Sequence, residues 1–156
     1  MADEVLFIDD EEFFARRYIE NLRDRGFKVH YCEHAEDAHG YIDQNPTISV
    51  IILDIMMPSP IHVTGSVTNN GLDTGLWLLG QLKDYVVSKP RPVLILTNRN
   101  PQAVEEGVQR LEFPDALVAV TRKIETPAFY LPDRLGAFLM GARRDHGAED
   151  RGRTAI

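Results

Sequence analysis

The hydrophobic positions of the chain fall into five short runs, several of them continuous rather than alternating. The runs cover residues 5–8, 28–32, 48–53, 93–96 and 116–120. Continuous apolar runs of this length are typical of strands that are buried on both faces of a parallel sheet. Between and after the runs, apolar residues recur three or four positions apart, which is typical of amphipathic helices. The pattern therefore predicts a strand followed by a helix, five times over.

Helix-start signals agree with this division. Asn100 followed by Pro101 is typical of an N-cap with proline at the first helical position, and Asp73 or Thr74 is placed to cap the third helix. We expect the last helix to begin near Pro132. Strict alternation of strands and helices favours a doubly wound α/β fold, because each parallel connection crosses over through a helix. We therefore expect a five-stranded parallel sheet with helices on both faces.

Composition narrows the class of protein. The 156 residues leave room for one domain, and 44% apolar with 26% charged residues is typical of a folded globular protein. A formal net charge of -7 argues against nucleic acid as a direct partner. Cys32 is the only cysteine, which excludes an internal disulfide and fits a reducing compartment. The acidic N-terminus and the short apolar runs argue against a signal peptide and a membrane span, so we expect a cytoplasmic protein.

The candidate chemistry follows directly after the strands, where doubly wound sheets bind their ligands. Asp9 and Asp10 follow the first run, Asp54 the third, Thr97 the fourth and Lys123 the fifth. Each close pair of carboxylates costs roughly a few kcal/mol, so we expect a cation among them. Carboxylate oxygens that leave room for water and phosphate favour Mg²⁺. A carboxylate, a metal ion, a lysine and a hydroxyl are the parts needed to transfer a phosphoryl group onto an aspartate.

Several motifs resemble those of the receiver domain of bacterial two-component response regulators. Residues 5–11, VLFIDDE, are similar to the family's first strand and acidic pair, and residues 52–58, ILDIMMP, to its phosphoacceptor motif. Residues 93–97, VLILT, resemble its hydroxyl-bearing fourth strand, and Lys123 stands where the fifth strand ends. The acceptor motif and the acidic pair together are a specific signal. The resemblance covers roughly residues 4–143 and implies a stand-alone, CheY-like receiver of flavodoxin-like fold.

The resemblance implies a metal site with a defined role for each residue. Asp54 is the expected phosphoacceptor and shares a Mg²⁺ ion with Asp10, which is expected to be a direct ligand. Asp9 is expected to act largely through water. The backbone carbonyl of Met56 is expected to supply a further ligand.

The resemblance also implies how the site is used. Asp54, Thr97 and Lys123 form the expected catalytic set: Thr97 hydrogen-bonds the phosphoryl group and shifts on phosphorylation, and Lys123 pairs with the group. A histidine kinase, a phosphotransfer protein or a small phosphodonor is expected to supply the group, and a downstream protein partner to receive the signal. We expect a switch that catalyses only its own phosphorylation and dephosphorylation. The receiver is expected at residues 1–143, and residues 144–156 as a disordered tail too short for an output domain.

The chain departs from the family's pattern after the third strand, where it has about thirteen extra residues. We interpret residues 59–71 as an inserted loop beside the site. Within it, Gly65-Ser66 lies between two β-prone pairs and predicts a small hairpin with a II′ turn. We expect a mobile polar loop without a role of its own. A lid over Asp54 and an element that docks a partner are the alternatives.

Four further positions differ from the family's pattern and leave other functions open. Ile124 stands where proline is typical, Val120 where an aromatic residue is common, and Asn98 where a small residue is usual. Arg99 could bring a cation near the phosphoryl group. One alternative function is a receiver-like adaptor that binds its partner regardless of phosphorylation. Another is a phosphatase of the haloacid-dehalogenase kind, although that class requires a second acid where Met56 stands.

Overall fold

Five parallel strands form the sheet of the structure, a computed structural model that describes residues 3–154, with side chains through residue 145. The order across the sheet is second, first, third, fourth, fifth, and each neighbouring pair is parallel. This confirms the predicted fold class. The fifth strand begins two residues later than predicted. The strands are β1 (Glu4–Ile8), β2 (Lys28–Cys32), β3 (Val50–Leu53), β4 (Val93–Thr97) and β5 (Val118–Arg122).

The helices lie between and after the strands, as the apolar spacing predicts. The third predicted helix is divided in two at Leu82, whose φ of -89° and ψ of 1° interrupt regular helix geometry. Short 3₁₀ turns at Ala35–Asp37 and Lys123–Glu125 precede α2 and follow β5. The helices are α1 (Glu12–Asp24), α2 (Ala38–Gln44), α3 (Thr74–Gln81), α4 (Lys83–Ser88), α5 (Pro101–Arg110) and α6 (Leu131–Thr154).

The sheet separates two hydrophobic cores. Alternate side chains of β1 point to opposite faces: Leu6 and Ile8 pack with α2 to α5, while Val5 and Phe7 pack with α1 and α6. The other inner strands alternate in the same way, and all four of these side chains are almost fully buried. Burial of such a side chain contributes roughly 1.5–3 kcal/mol. Helices therefore cover both faces, which is why the strands read as continuous apolar runs.

Pairing of β1 with β3 brings the first and third strand ends side by side. Ile8 lies opposite Leu53, and the next residue, Asp54, donates its backbone N–H to the carbonyl of Ile8 at 3.0 Å. Asp9 likewise donates its N–H to the carbonyl of Cys32 at the end of β2, at 3.1 Å. The register of the sheet thus places both aspartates at its carboxyl edge.

Two predicted helix starts are confirmed. Asn100 accepts hydrogen bonds from the N–H groups of Gln102 (2.9 Å) and Ala103 (3.4 Å), so it caps α5 as expected. The last helix begins at Leu131, next to Pro132. It continues to Thr154, past the start of the predicted disordered tail at residue 144, since the chain there contains no proline to stop it. Residues 155 and 156 of that tail lie outside the described residues.

Within residues 3–154, the helices are too short or too polar for any of them to cross a membrane.

The inserted segment forms consecutive turns. Within it, backbone hydrogen bonds join residues three or five apart, such as the N–H of Val67 to the carbonyl of Thr64 at 3.0 Å and the N–H of Asn70 to the carbonyl of Gly65 at 2.7 Å, in place of a ladder between strands. Asn69 and Asn70 both take left-handed conformations, with φ of 52° and 56°. The predicted hairpin at Gly65-Ser66 is therefore wrong, because these tight turns coil the chain back on itself.

Candidate functional site

Asp54 lies at the centre of the carboxyl edge, directly after β3. Its side chain is 4% exposed, and its two oxygens have different partners. Oδ1 accepts the N–H of Ile55 at 2.7 Å, and Oδ2 accepts a hydrogen bond from Nζ of Lys123 at 3.0 Å. One oxygen of Asp54 is thus fixed by the backbone, and the other is directed toward the ammonium group of Lys123.

Three carboxylates meet at this edge. Oxygens of Asp9, Asp10 and Asp54 all lie within 4.8 Å of one another. Asp9 is 2% exposed, and its Oδ1 accepts the N–H of Glu11 at 2.9 Å at the start of α1. Oδ1 of Asp10 is buried without a hydrogen-bond partner. The expected convergence of these residues is thus present in the structure.

Lys123 reaches the cluster from the 3₁₀ turn after β5. Its Nζ lies 2.8 Å from Oδ2 of Asp9 and 3.0 Å from Oδ2 of Asp54, so one ammonium group bridges two carboxylates. Ile124, which stands where the family has proline, is 76% exposed and does not prevent this approach. Lys123 therefore reaches the cluster without the proline that is typical of the family at the next position.

Proximity of the charges shifts the ionisation of the cluster. Burial raises the pKa of Asp9 to about 6, and the charge of Asp54 adds to the effect, while Lys123 opposes it. Burial also raises the pKa of Asp10, with Asp54 again contributing. Burial would lower the pKa of Lys123, but the carboxylates of Asp54 and Asp9 raise it above its ordinary value. The lysine therefore stays charged at neutral pH.

The cluster fits a divalent cation. Three ionised carboxylates and one ammonium group leave a net charge of about minus two, which Mg²⁺ would neutralise. Oδ1 of Asp10 has no partner, and a buried acceptor left unpaired costs about 1–3 kcal/mol. Oxygen donors from Asp9, Asp10 and Asp54 form the set that could hold the ion. The carbonyl of Met56, the further ligand that the resemblance implies, lies two residues after Asp54.

Thr97 is fully buried at the end of β4, the strand next to β3. Its Oγ1 accepts the backbone N–H of Arg99 at 3.1 Å. The guanidinium of Arg99 is paired with Asp73, at 3.2 Å from Nε to Oδ1. The charge of Arg99 is thus paired with Asp73, which follows the insertion. Asn98, between Thr97 and Arg99 in the chain, is exposed. The structure records no hydrogen bond from Thr97 to Asp54 among the described residues.

A shallow cavity of about 590 Å³ opens beside Lys123. Phe14 of α1, Asn98 and Ile124 border it. Phe14 and Ile124 are both exposed, so the approach to Lys123 has an apolar rim. Val120, where the family often has an aromatic residue, lies half-buried in β5, packed against the core under α2 to α5.

Sequence reasoning missed the residues that return the chain from the insertion to α3. Thr74 is predicted as a possible cap of α3, but its hydroxyl donates to the carbonyl of Met57 at 2.6 Å. Gly75 lies against the backbone of the acceptor: an added Cβ would be 2.2 Å from the carbonyl oxygen of Asp54. The available signal is the pair Thr74-Gly75 at a helix start, where glycine suggests a close backbone approach.

Comparison with known proteins gives a consistent result. No family model and no curated protein matches the chain. Among solved structures, a CheY-like response regulator receiver domain from Methanospirillum hungatei matches with a TM-score of 0.68 at 14% identity, over 93% of this chain and 99% of that chain. Chemotaxis protein CheY4 of Vibrio cholerae matches with a TM-score of 0.68 at 18% identity, over 88% and 99%. NtrX of Brucella abortus matches with a TM-score of 0.69 at 20% identity, and this chain spans 30% of its length. The chain therefore has the fold of response-regulator receiver domains.

Proposed function

We propose that the chain is a phospho-accepting receiver of two-component signal transduction, in which Asp54 takes up a phosphoryl group in the presence of Mg²⁺. The observation that carries the proposal is the arrangement around Asp54. Its Oδ2 lies 3.0 Å from Nζ of Lys123, and oxygens of the other two carboxylates of the cluster lie within 4.8 Å. The likeness of the fold to named response regulators supports the same conclusion.

In the proposed reaction, a carboxylate oxygen of Asp54 forms a bond to phosphorus. The bond from phosphorus to the nitrogen or oxygen of the donor breaks, and the leaving group keeps the electron pair. Lys123 contacts Oδ2 of Asp54, and in this proposal it pairs with a phosphoryl oxygen. Asp9, Asp10, Asp54 and the carbonyl of Met56 would hold Mg²⁺, which would neutralise charge on the transferring group.

The donor in this proposal is a histidine kinase, a phosphotransfer protein or a small acyl phosphate. Thr97 hydrogen-bonds the phosphoryl group and changes its contacts when the group arrives. A downstream protein in the cytoplasm binds the altered surface. The chain acts as a switch in this proposal, and its chemistry is limited to gaining and losing its own phosphoryl group.

The test is phosphoryl uptake. The protein is incubated with Mg²⁺ and an acyl phosphate, and intact-protein mass spectrometry measures the addition of one phosphoryl group. We expect uptake in the wild type and in Asp115→Asn, which changes an exposed loop acid, and none in Asp54→Asn. Uptake is expected to stop when EDTA removes the metal. Equal uptake in the wild type and Asp54→Asn contradicts the proposal.

One observation favours a second candidate, the phosphorylation-independent adaptor. Lys123 already neutralises part of the cluster by bridging Asp9 and Asp54, so the site has a counter-ion without metal or phosphate. The adaptor is the better interpretation if neither acyl phosphates nor phosphorylated histidine kinases label the chain.

A further inference from the structure

The inserted segment returns to the fold through residues 71–75, here called the return segment, and this segment bonds to the backbone that follows Asp54. The carbonyl of Gly71 accepts the N–H of Met57 at 3.1 Å. Thr74 donates its hydroxyl to the carbonyl of Met57 at 2.6 Å. Gly75 donates its N–H to the carbonyl of Ile55 at 2.8 Å.

Both glycines allow a close backbone approach that other residues would prevent. Gly71 has a φ of +92°, and an added Cβ would lie 2.9 Å from the carbonyl oxygen of Met57. A Cβ on Gly75 would lie 2.6 Å from Cα of Ile55. The return segment therefore contacts residues 54–58, here called the acceptor loop, through backbone atoms and the hydroxyl of Thr74.

These bonds constrain the peptide that carries the expected metal ligand. The carbonyl of Met56 and the N–H of Met57 belong to one planar trans peptide, so fixing the N–H also fixes the direction of the carbonyl. Gly71 holds that N–H, and Thr74 holds the next carbonyl. Met56 itself makes no backbone hydrogen bond in the described part of the chain. Its carbonyl is thus oriented by its neighbours and left available as an acceptor.

We propose that Thr74 is a positioning residue for the metal site: the carbonyl of Gly71 holds the peptide between Met56 and Met57, and the hydroxyl of Thr74 holds the peptide that follows it, so that together they orient the Met56 carbonyl toward Mg²⁺. The return of the insertion thereby contributes to metal affinity, in contrast to the loop without a role that the sequence suggests. The inference rests on the proposed function, since it concerns the same metal site.

The chain offers a matched control. Thr68, like Thr74, is fully buried and uses its hydroxyl inside the inserted region, where it donates to Oγ of Ser59 at 2.9 Å. Replacement of either threonine by valine removes one buried hydroxyl and keeps the size of the side chain nearly unchanged. Only the change at Thr74 touches the acceptor loop. Thr74→Ser keeps the donor and serves as the conservative variant.

The experiment measures Mg²⁺ affinity of the full chain without a phosphodonor. Mg²⁺ is titrated while the fluorescence of Trp77, the only tryptophan, or the heat of binding is recorded, and urea unfolding in EDTA gives stability. We expect Thr74→Val to weaken Mg²⁺ binding roughly tenfold, as loss of a supporting hydrogen bond typically does. Thr68→Val is expected to lose stability but keep wild-type affinity, and Thr74→Ser to restore tight binding.

Equal affinities in Thr74→Val and the wild type overturn the inference and leave the metal site and the proposed function intact. Equal weakening in Thr68→Val and Thr74→Val also overturns it, since the effect is then one of general stability. Absence of Mg²⁺ binding and of phosphoryl uptake in the wild type overturns the proposed function and the inference together. If Thr74→Val does not fold, Thr74→Ala is compared with Thr68→Ala in the same assay.

Discussion

Replacement of Asp9 by asparagine is expected to stabilise the metal-free protein, even though the change removes an ion pair with Lys123. In the folded chain Asp9 is nearly buried beside Asp54, and this raises its pKa from 3.8 to about 6. Each unit of pKa difference between folded and unfolded states is worth about 1.4 kcal/mol. Ionised Asp9 therefore costs the folded state roughly 3 kcal/mol near neutral pH. An asparagine keeps an oxygen for the N–H of Glu11 and leaves Lys123 paired with Asp54.

The sign of the pH dependence follows from the raised pKa. Between about pH 4 and about pH 6 the folded protein holds a proton at Asp9 that the unfolded chain has lost, so the contribution of Asp9 to the free energy of unfolding falls as the pH rises. The advantage of Asp9→Asn over the wild type should be small near pH 4 and complete near pH 7. With Mg²⁺ bound, the wild type should be more stable than Asp9→Asn, because the ion offsets the repulsion between Asp9 and its neighbouring carboxylates and gains less from the neutral asparagine.

The assay is urea unfolding in EDTA and in Mg²⁺ across this pH range, followed by circular dichroism. Asp115→Asn is the control, since this exposed acid should change stability little at any pH. The reasoning is refuted if Asp9→Asn is less stable than the wild type in EDTA at neutral pH. It is also refuted if the difference between the two proteins does not change with pH.

Three further predictions test other parts of the site. Lys123→Met should change the free energy of unfolding in the opposite direction to Asp9→Asn, because it leaves buried carboxylates without a counter-ion. In the same urea assay it should destabilise the metal-free protein by roughly 3–5 kcal/mol near pH 7, and by less with Mg²⁺. Gly75→Ala should destabilise the protein by about 2 kcal/mol or more, because its Cβ would lie 2.2 Å from the carbonyl oxygen of Asp54. The control Gly40→Ala, whose Cβ would have no neighbour within 4 Å, should not destabilise it, and equal urea midpoints for the two variants would contradict the prediction. Asn98→Ala should shorten the lifetime of the phosphoryl group by opening the approach of water, as measured by loss of the added mass with time; an unchanged rate removes the idea.

The site residues could be predicted because they lie at strand ends. Asp9, Asp54 and Thr97 each follow or close a continuous apolar run, and the topology of a doubly wound sheet brings such positions to one edge. Lys123 was harder to place, since Ile124 breaks the family's pattern, yet the end of β5 is sufficient to bring the ammonium to the cluster.

The contacts of the insertion could not be predicted in the same way. Gly65-Ser66 gave a local hairpin signal, but the left-handed conformations of Asn69 and Asn70 and the burial of Thr68 depend on how the whole segment packs. The bond from Thr74 to Met57 joins residues 17 apart across a loop of irregular structure. No periodic pattern encodes such a pairing, so only the folded chain reveals it.

Arg99 makes two bonds whose consequence concerns the energetics of the loops. Its N–H bonds to Thr97 at the end of β4, and its guanidinium pairs with Asp73 beside α3. Since one residue carries both bonds, a displacement of Thr97 and a rearrangement of the inserted segment share part of their free energy. A partly exposed ion pair of this kind is worth up to about 1 kcal/mol. A molecule that binds the insertion would therefore change the affinity of the carboxyl edge of the sheet for a ligand by up to about fivefold. By reciprocity, the ligand at the edge would change the affinity of the insertion for that molecule by the same factor.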